Sequence, residues 1–563
     1  MTSTVTRLVV LAITLSGCSL IIDDNTHRVV NRCAGDVDCT GGARCEPATA
    51  MCVQAPALPY DLWLEVAPPA DGTASTVPTD LGPYTSFSGS ISLVVPRPVS
   101  VRGSVRRDGL PVAAQLTFTP VPAGPTALPQ RSVSTRTTSA GDVDFATSLP
   151  ARGDYDVLVE PLAEFRATVP PFRARLTVGA TDTALQVVLP TGEAHVAGAL
   201  VDPEGRALSG FDVLAVDRSS GTQLSSVATT SEGAEAGRFS IALAPTTYPF
   251  DLVVRPSATR QATGVVPTYR VQPEVLLPDA MGNVTILVPA SLPAVHWAGT
   301  VEYPETRGAM PVAGAIVQLH SEDVVDAATG LVGTLDLTLT TDDAGVYDGQ
   351  VLPGTYTVSI TAASDDTLGV LREQRDLRPT AGASEILGHV FHLPLRTVLG
   401  GTVQSPDGDL VRDARVRAAP LGVPLPGLTD PEVARLARPA TALSGPMGDF
   451  RLDLDVGVYD VVVEPPDGSG FPWTVVLEYG IGGSTATLAD VMQIDAPVVV
   501  EADVTWLDGG TLGSAEVRAF AIAPGGRAVM VGRATTDATG HARVLVPAML
   551  AAHDPTTMNR LRP

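Results

Sequence analysis

Along most of the chain, apolar and polar residues alternate. Val, Ile and Leu recur at every second position in short runs such as Ala315-Ile-Val317-Gln-Leu319, Ala414-Arg-Val416-Arg-Ala418 and Ala515-Glu-Val517-Arg-Ala519. A period of two places one face of a strand in a core and the other in water. Turn-forming groups separate the runs: Asp108-Gly109, Asp202-Pro-Glu-Gly205, Pro406-Asp-Gly408 and Asp508-Gly509. They supply the positive φ that tight hairpins need. The pattern predicts an all-β protein. One segment departs from it. Thr429-Asp430-Pro431-Glu432-Val-Ala-Arg-Leu436 has a cap residue, a Pro at the first helical position and an early acid, which predicts a short helix within a loop.

The pattern also repeats. Val101-Arg-Gly103-Ser-Val105, Val196-Ala-Gly198-Ala-Leu200, Trp297-Ala-Gly299-Thr-Val301 and Leu399-Gly-Gly401-Thr-Val403 space their glycines by 95, 101 and 102 residues. A degenerate copy, Val500-Glu-Ala502-Asp-Val504, follows after another 101. A second marker reads Thr138-Ser-Ala-Gly141, Thr230-Ser-Glu-Gly233, Thr341-Asp-Asp-Ala-Gly345 and Thr536-Asp-Ala-Thr-Gly540, with Phe145, Phe239, Tyr347 and Phe450 as the aromatics of the first four copies. The third marker is a Tyr-led strand at Tyr155, Tyr356 and Tyr459, with Tyr248 near the matching place in the second copy. Units of about 100 residues with about seven short strands have the size of an immunoglobulin-like sandwich. The Tyr acts either as a tyrosine corner or as plain core.

These markers resemble the carboxypeptidase regulatory-like domain, a transthyretin-like sandwich similar to the B-type repeats of collagen adhesins. The resemblance covers roughly residues 95 to 546. It implies accessory domains that carry no catalysis themselves. The expected fold class is therefore all-β: tandem immunoglobulin-like or transthyretin-like β-sandwiches with a small disulfide-rich N-terminal module. The expected boundaries are 95–193, 194–292, 293–395 and 396–496 for four sandwiches, and 497–563 for a degenerate fifth. Residues 55–94 read as a partial β segment. Within it Tyr60-Asp-Leu-Trp-Leu64-Glu-Val66 resembles an orphan Tyr strand, which either completes a half-domain or pads the first sandwich.

The first residues change the picture most. Arg7 precedes an eight-residue apolar run, Leu8 to Leu15, too short to span a bilayer. Leu15-Ser16-Gly17-Cys18 then matches the bacterial lipobox. The resemblance implies a signal peptide at 1–17 and lipidation of Cys18, with an anchor linker at 18–30. The competing reading is an ordinary signal peptide with an incidental Cys. Ser19 follows the lipidated Cys where an inner-membrane retention Asp would stand, so the resemblance implies the outer membrane. The other four cysteines, Cys33, Cys39, Cys45 and Cys52, define a Cys-rich module at 31–54. In an exported protein an even count predicts disulfides, with three possible connectivities. The rival is a Cys₄ zinc site, for which the spacings lack a C-x₂-C pair.

Composition narrows the function. Net charge is −24, and the 37 basic residues are all Arg. No cationic stretch suits a nucleic-acid backbone. The absence of Lys excludes a phosphate-loop Lys, a Schiff base and a Ser-Lys pair. His389 and His392, three apart on a strand, face opposite sides and cannot share a metal. Arg152-Gly-Asp154 matches an integrin-binding tripeptide at a hairpin turn, and chance accounts for it. The four Trp, Trp63, Trp297, Trp473 and Trp506, fall in different units and read as core. The expectation is a non-enzymatic cell-envelope lipoprotein without cofactor. Its partners would be the membrane, through the N-terminal lipid, and envelope polysaccharide or another surface protein, with no nucleic acid. An accessory of an envelope hydrolase or transporter encoded elsewhere is the alternative.

Overall fold

The computed structural model describes residues 57–552 apart from short loop stretches, and before them four three-residue strands at 20–22, 29–31, 44–46 and 51–53. Among the described residues the chain is almost wholly β, arranged as five sandwiches.

The third sandwich shows the plan. Its three-stranded sheet has Val295–Glu302 in the centre, antiparallel to Val346–Val351 and parallel to Glu385–His392. Its facing strands run in the order Val332–Thr340, Ile316–Val325, Thr355–Thr361, Leu371–Asp376. Alternate residues of Val295–Glu302 are buried, as the period of two predicts. The first, second and fourth sandwiches repeat this seven-strand order, each with a parallel pair in its three-stranded sheet, and the fourth adds Ala551–Ala552 parallel to Thr474–Ile481. The expected short helix is a 3₁₀ segment, Pro431–Leu436.

Each repeat marker has a structural cause. The marker glycine lies where the central strand crowds its parallel neighbour. A Cβ on Gly103, Gly198, Gly299 or Gly401 would stand 1.7, 2.1, 2.1 or 2.0 Å from the carbonyl oxygen of Leu185, Val284, His389 or Asp490. It would also meet the ring of Phe145, Phe239, Tyr347 or Phe450, the residue opposite on the antiparallel side. In the fifth sandwich both partners change together: Ala502 lies opposite Ala542.

The hydroxyl marker is buried and pins the next strand. Thr230, Thr341, Ser444 and Thr536 accept the N–H of Phe211, Ala315, Ala414 and Ala515 at 2.8–3.0 Å. In the first sandwich Thr137 does this, one residue before the Thr138 marked from the sequence. The fourth copy uses Ser444, which the Thr-based pattern passes over. The Tyr marker is both core and corner. Tyr155, Tyr356 and Tyr459 are buried and donate to the carbonyl oxygens of Pro150, Leu352 and Asp455 at 3.3, 2.7 and 2.9 Å. Tyr248 lies outside the described residues.

The fifth sandwich draws on both ends of the array. Pro497–Trp506, Glu516–Ala523, Arg527–Thr535 and His541–Pro547 supply four strands. Ala57–Ala67, Thr79–Ser86 and Ile91–Val95 supply the other three. Ile91–Val95 runs parallel to Pro497–Trp506, and Ala57–Ala67 lies between Glu516–Ala523 and Thr79–Ser86. Leu62, Leu64, Val66 and Leu93 share one core with Val504, Val517, Val531 and Val544. The stretches read separately from the sequence, 55–94 and 497–563, thus contribute to one sandwich with the same strand order as the others.

Contacts between units run in a cycle. Val227 N–H donates to Arg166 O between the first and second. The second and third share an eight-stranded sheet through Tyr269↔Gly333. Arg438 donates to Leu368 O between the fourth and third. Arg527 pairs with Asp460 at 2.8 Å between the fifth and fourth. Glu65 pairs with Arg131 at 3.0 Å between the fifth and first, where Trp63 and Phe520 pack on Leu128.

Candidate interaction surfaces

Of the residues singled out in the sequence, Cys18, Cys33 and Cys39 lie outside the described residues. Cys45 and Cys52 lie on paired antiparallel strands, Arg44–Glu46 and Met51–Val53, directly opposite each other in register. The tripeptide Arg152-Gly-Asp154 turns from Asp144–Pro150 into Asp154–Pro161, with Arg152 at φ 60°. Asp154 there accepts the Thr177 hydroxyl at 2.6 Å. Trp63, Trp297 and Trp473 are buried, and Trp506 is half-buried beneath the Arg97 guanidinium.

Buried carboxylates are clamped. Asp455 takes Arg396 at 2.8 Å and Arg438 at 3.0 Å. Asp251 takes Arg218 and Arg270, Glu464 takes Arg415 and Arg417, and Asp460 takes Arg527. Asp202 takes Arg206, and Glu65 takes Arg518 and Arg131. Asp217 is held instead by the N–H and hydroxyl groups of Ser219 and Ser220, which bring it down to about 2. The Arg-clamped carboxylates are structural ion pairs rather than a poised acid and base. Asp80 lies opposite the buried Glu65 in register. Burial, and then the Glu65 charge, push Asp80 up to about 6 against the pull of Arg131. Among the described residues no group of three or more His, Cys, Asp or Glu is placed to hold a metal.

His389 packs edge-on against Phe391 with ring centroids 4.6 Å apart, and His392 is exposed. A bulge at Gly388, φ 74°, shifts the register beside Gly299 and brings His389 opposite it. Burial, and then the Arg375 charge, hold the His389 imidazole below its ordinary value.

The concave surfaces are open and mixed in polarity. A groove of about 670 Å³ separates the fourth and fifth sandwiches, lined by Asp467, Phe471, Trp473, Glu516, Arg533 and Arg543 among others. Arg417 and Arg533 lie over the Trp473 ring at 5.6 and 5.9 Å, so the indole is committed to this junction. Shallower hollows of about 540 and 570 Å³ flank Gly198 and Gly103 on the three-stranded sheets. Among the described residues no helix is long and apolar enough to cross a membrane.

No protein-family model matches the sequence, and no curated protein matches it. Solved structures similar to it include the Streptococcal ancillary pilin, with 13% identity over 53% of this chain and 99% of that one and a TM-score of 0.19. The Bacillus anthracis TIE protein matches with 12% identity over 68% of this chain and 69% of that one, TM-score 0.17. GBS52, the minor pilin of Streptococcus agalactiae, matches with 13% identity over 36% and 95%, TM-score 0.21.

Proposed function

We propose that this protein is a non-catalytic scaffold of the cell envelope, lipid-anchored through Cys18 at the outer membrane, whose sandwiches contact envelope polysaccharide or another surface protein. The observation that carries the reading is the use made of the repeated polar residues. The Thr or Ser hydroxyl of each unit, and the Tyr hydroxyl of the first, third, fourth and fifth, are consumed in main-chain hydrogen bonds. What repeats along this chain therefore builds units, and the surfaces left between them are open grooves. The lipobox and the export it implies supply the location. The register that pairs Cys45 with Cys52 supports a bridge between them in an oxidising compartment, which leaves Cys33 for Cys39.

Treating intact cells with an external protease tests the reading, with a Cys18→Ser strain as control. Loss of the repeats from wild-type cells, with release of the Cys18→Ser protein from the membrane fraction, is the expected result for a surface scaffold. Protection in intact cells and loss after outer-membrane permeabilisation moves the scaffold to the periplasm. A Cys18→Ser protein that stays membrane-bound overturns the anchor.

A further inference from the structure

We propose that the split fifth sandwich is an assembly joint, in which residues 57–95 of one copy complete strands 497–547 of a second copy and link chains head to tail. The proposal goes beyond the scaffold reading and does not depend on the lipid anchor.

Three observations carry it. First, the two parts are complementary fragments of one domain held at opposite ends of a tandem array. Ala57–Ala67 pairs with Glu516–Ala523, and Ile91–Val95 pairs with Pro497–Trp506. Without 57–95 the remaining four strands expose one edge of each sheet together with the apolar faces of Val504 and Val517. Unpaired edges of this kind are templates for another chain. Completion is obligatory, but nothing in the strand register distinguishes the chain's own segment from that of a neighbour.

Second, the connection out of the segment is short. Residues 96 and 97 alone join Ile91–Val95 to Pro98–Arg107 of the first sandwich, in the run Val95-Pro96-Arg97-Pro98. Short, proline-flanked hinges favour exchange, because the segment can pivot as a unit and cannot fold back loosely.

Third, closure within one chain needs all five units to meet in a cycle, whereas exchange keeps every contact within the sandwich and releases that constraint. Joints of this kind are heterologous: they close into rings of copies or run on as filaments. Closure within the chain wins in dilute solution, and exchange wins when copies are crowded to about the effective concentration of the tethered segment, typically of millimolar order.

The test uses the full chain carrying Cys18→Ser. One variant has a broken donor, Leu62→Asp with Leu64→Asp. The other has a broken acceptor, Val517→Asp with Val544→Asp. Each keeps the half that the other lacks. Refolded together from urea at high concentration, they are expected to give a 1:1 complex of twice the monomer mass by light scattering, while each alone stays monomeric. A mixture that remains at monomer mass, with the first four sandwiches of both variants protease-resistant, overturns the proposal. Should either variant lose those sandwiches, a second measurement decides. Leu64→Cys with Ala519→Cys staples register partners within one chain. Oxidised before unfolding, this protein is expected to refold as monomer at all concentrations, and once reduced to form dimers and larger species at high concentration. Reduced protein that stays monomeric at high concentration overturns the joint.

Discussion

The hydroxyl of Tyr60 donates to the carbonyl oxygen of Pro547 at 2.6 Å across 487 residues of sequence. The bond matches those of Tyr356 to Leu352 and Tyr459 to Asp455, each closed over four residues. The fifth sandwich thus has the same tyrosine corner as its neighbours, with its two halves drawn from distant parts of the chain. Replacing Tyr60 by Phe leaves the Pro547 carbonyl without this donor and is expected to cost about 1–2 kcal/mol. Urea unfolding of the full chain should show one transition shifted to lower denaturant and the rest unmoved. An unshifted profile would mean that the corner contributes nothing to closure.

Gly401→Ala places a methyl 2.0 Å from the Asp490 carbonyl oxygen and against Phe450. Neither can retreat without breaking the strand pairing, so the substitution is expected to destabilise the fourth sandwich by about 2–3 kcal/mol. Ala502→Gly in the fifth sandwich, where Ala542 replaces the ring, should cost only about 1 kcal/mol of strand entropy and lost packing. Comparing the two shifts in calorimetry tests whether the glycine answers to close approach. Equal shifts would refute that cause.

Thr341 accepts the Ala315 N–H at 2.8 Å and donates to Val312 O at 2.7 Å. Thr341→Val keeps the shape and removes both bonds, which leaves a buried donor unpaired. A loss of about 2 kcal/mol is expected. Thr341→Ser should recover most of it, since Ser444 fills the same role in the fourth sandwich.

Asp455 is 4% exposed in its side chain and joins Arg396 and Arg438 at the junction of the third and fourth sandwiches. Burial pushes its carboxyl up, but the bonds from Arg438 and Arg396 outweigh burial and hold it below the usual carboxylate range. A depressed folded pKa gives stability that is complete above the unfolded value and is lost as pH falls through the folded one. Asp455→Asn should weaken the junction at neutral pH by about 3–5 kcal/mol, because Arg396 stays buried beside a neutral group. Measured in strong acid, wild type and variant should converge. A difference that persists there would assign the effect to packing.

Asp80 works in the opposite sense. Its folded value is raised to about 6, from burial and then the Glu65 charge. Stability from the neutral form is present below the unfolded value near 4 and is lost as pH rises to about 6. Asp80→Asn removes that loss. The variant is expected to melt higher than wild type at pH 7.5 and alike at pH 4. Equal melting at both values would show that Asp80 is free of Glu65 in solution.

The sandwich class, the repeat and its markers were legible in the sequence, because alternation and turn residues report local geometry directly. Gly299, Tyr347 and Tyr356 stood out for this reason. The hydroxyl marker was harder to read. Thr and Ser can both accept an N–H, so Ser444 escaped a search for Thr, and in the first copy the neighbouring Thr138 obscured Thr137. The buried clamps at Asp455, Asp251 and Glu464 had no signature at all, since an acidic chain presents many Asp and Glu, and only the packing selects those that meet Arg.

The sequence by itself determined that strands of period two would pair into units of about 100 residues, and it exposed an orphan Tyr strand near the N-terminus. Where that strand pairs was decided by tertiary structure alone. Strand pairing depends on complementary faces and free edges, not on nearness along the chain, so Tyr60 could take its place beside Pro547 only once the incomplete half at 497–547 was folded against it.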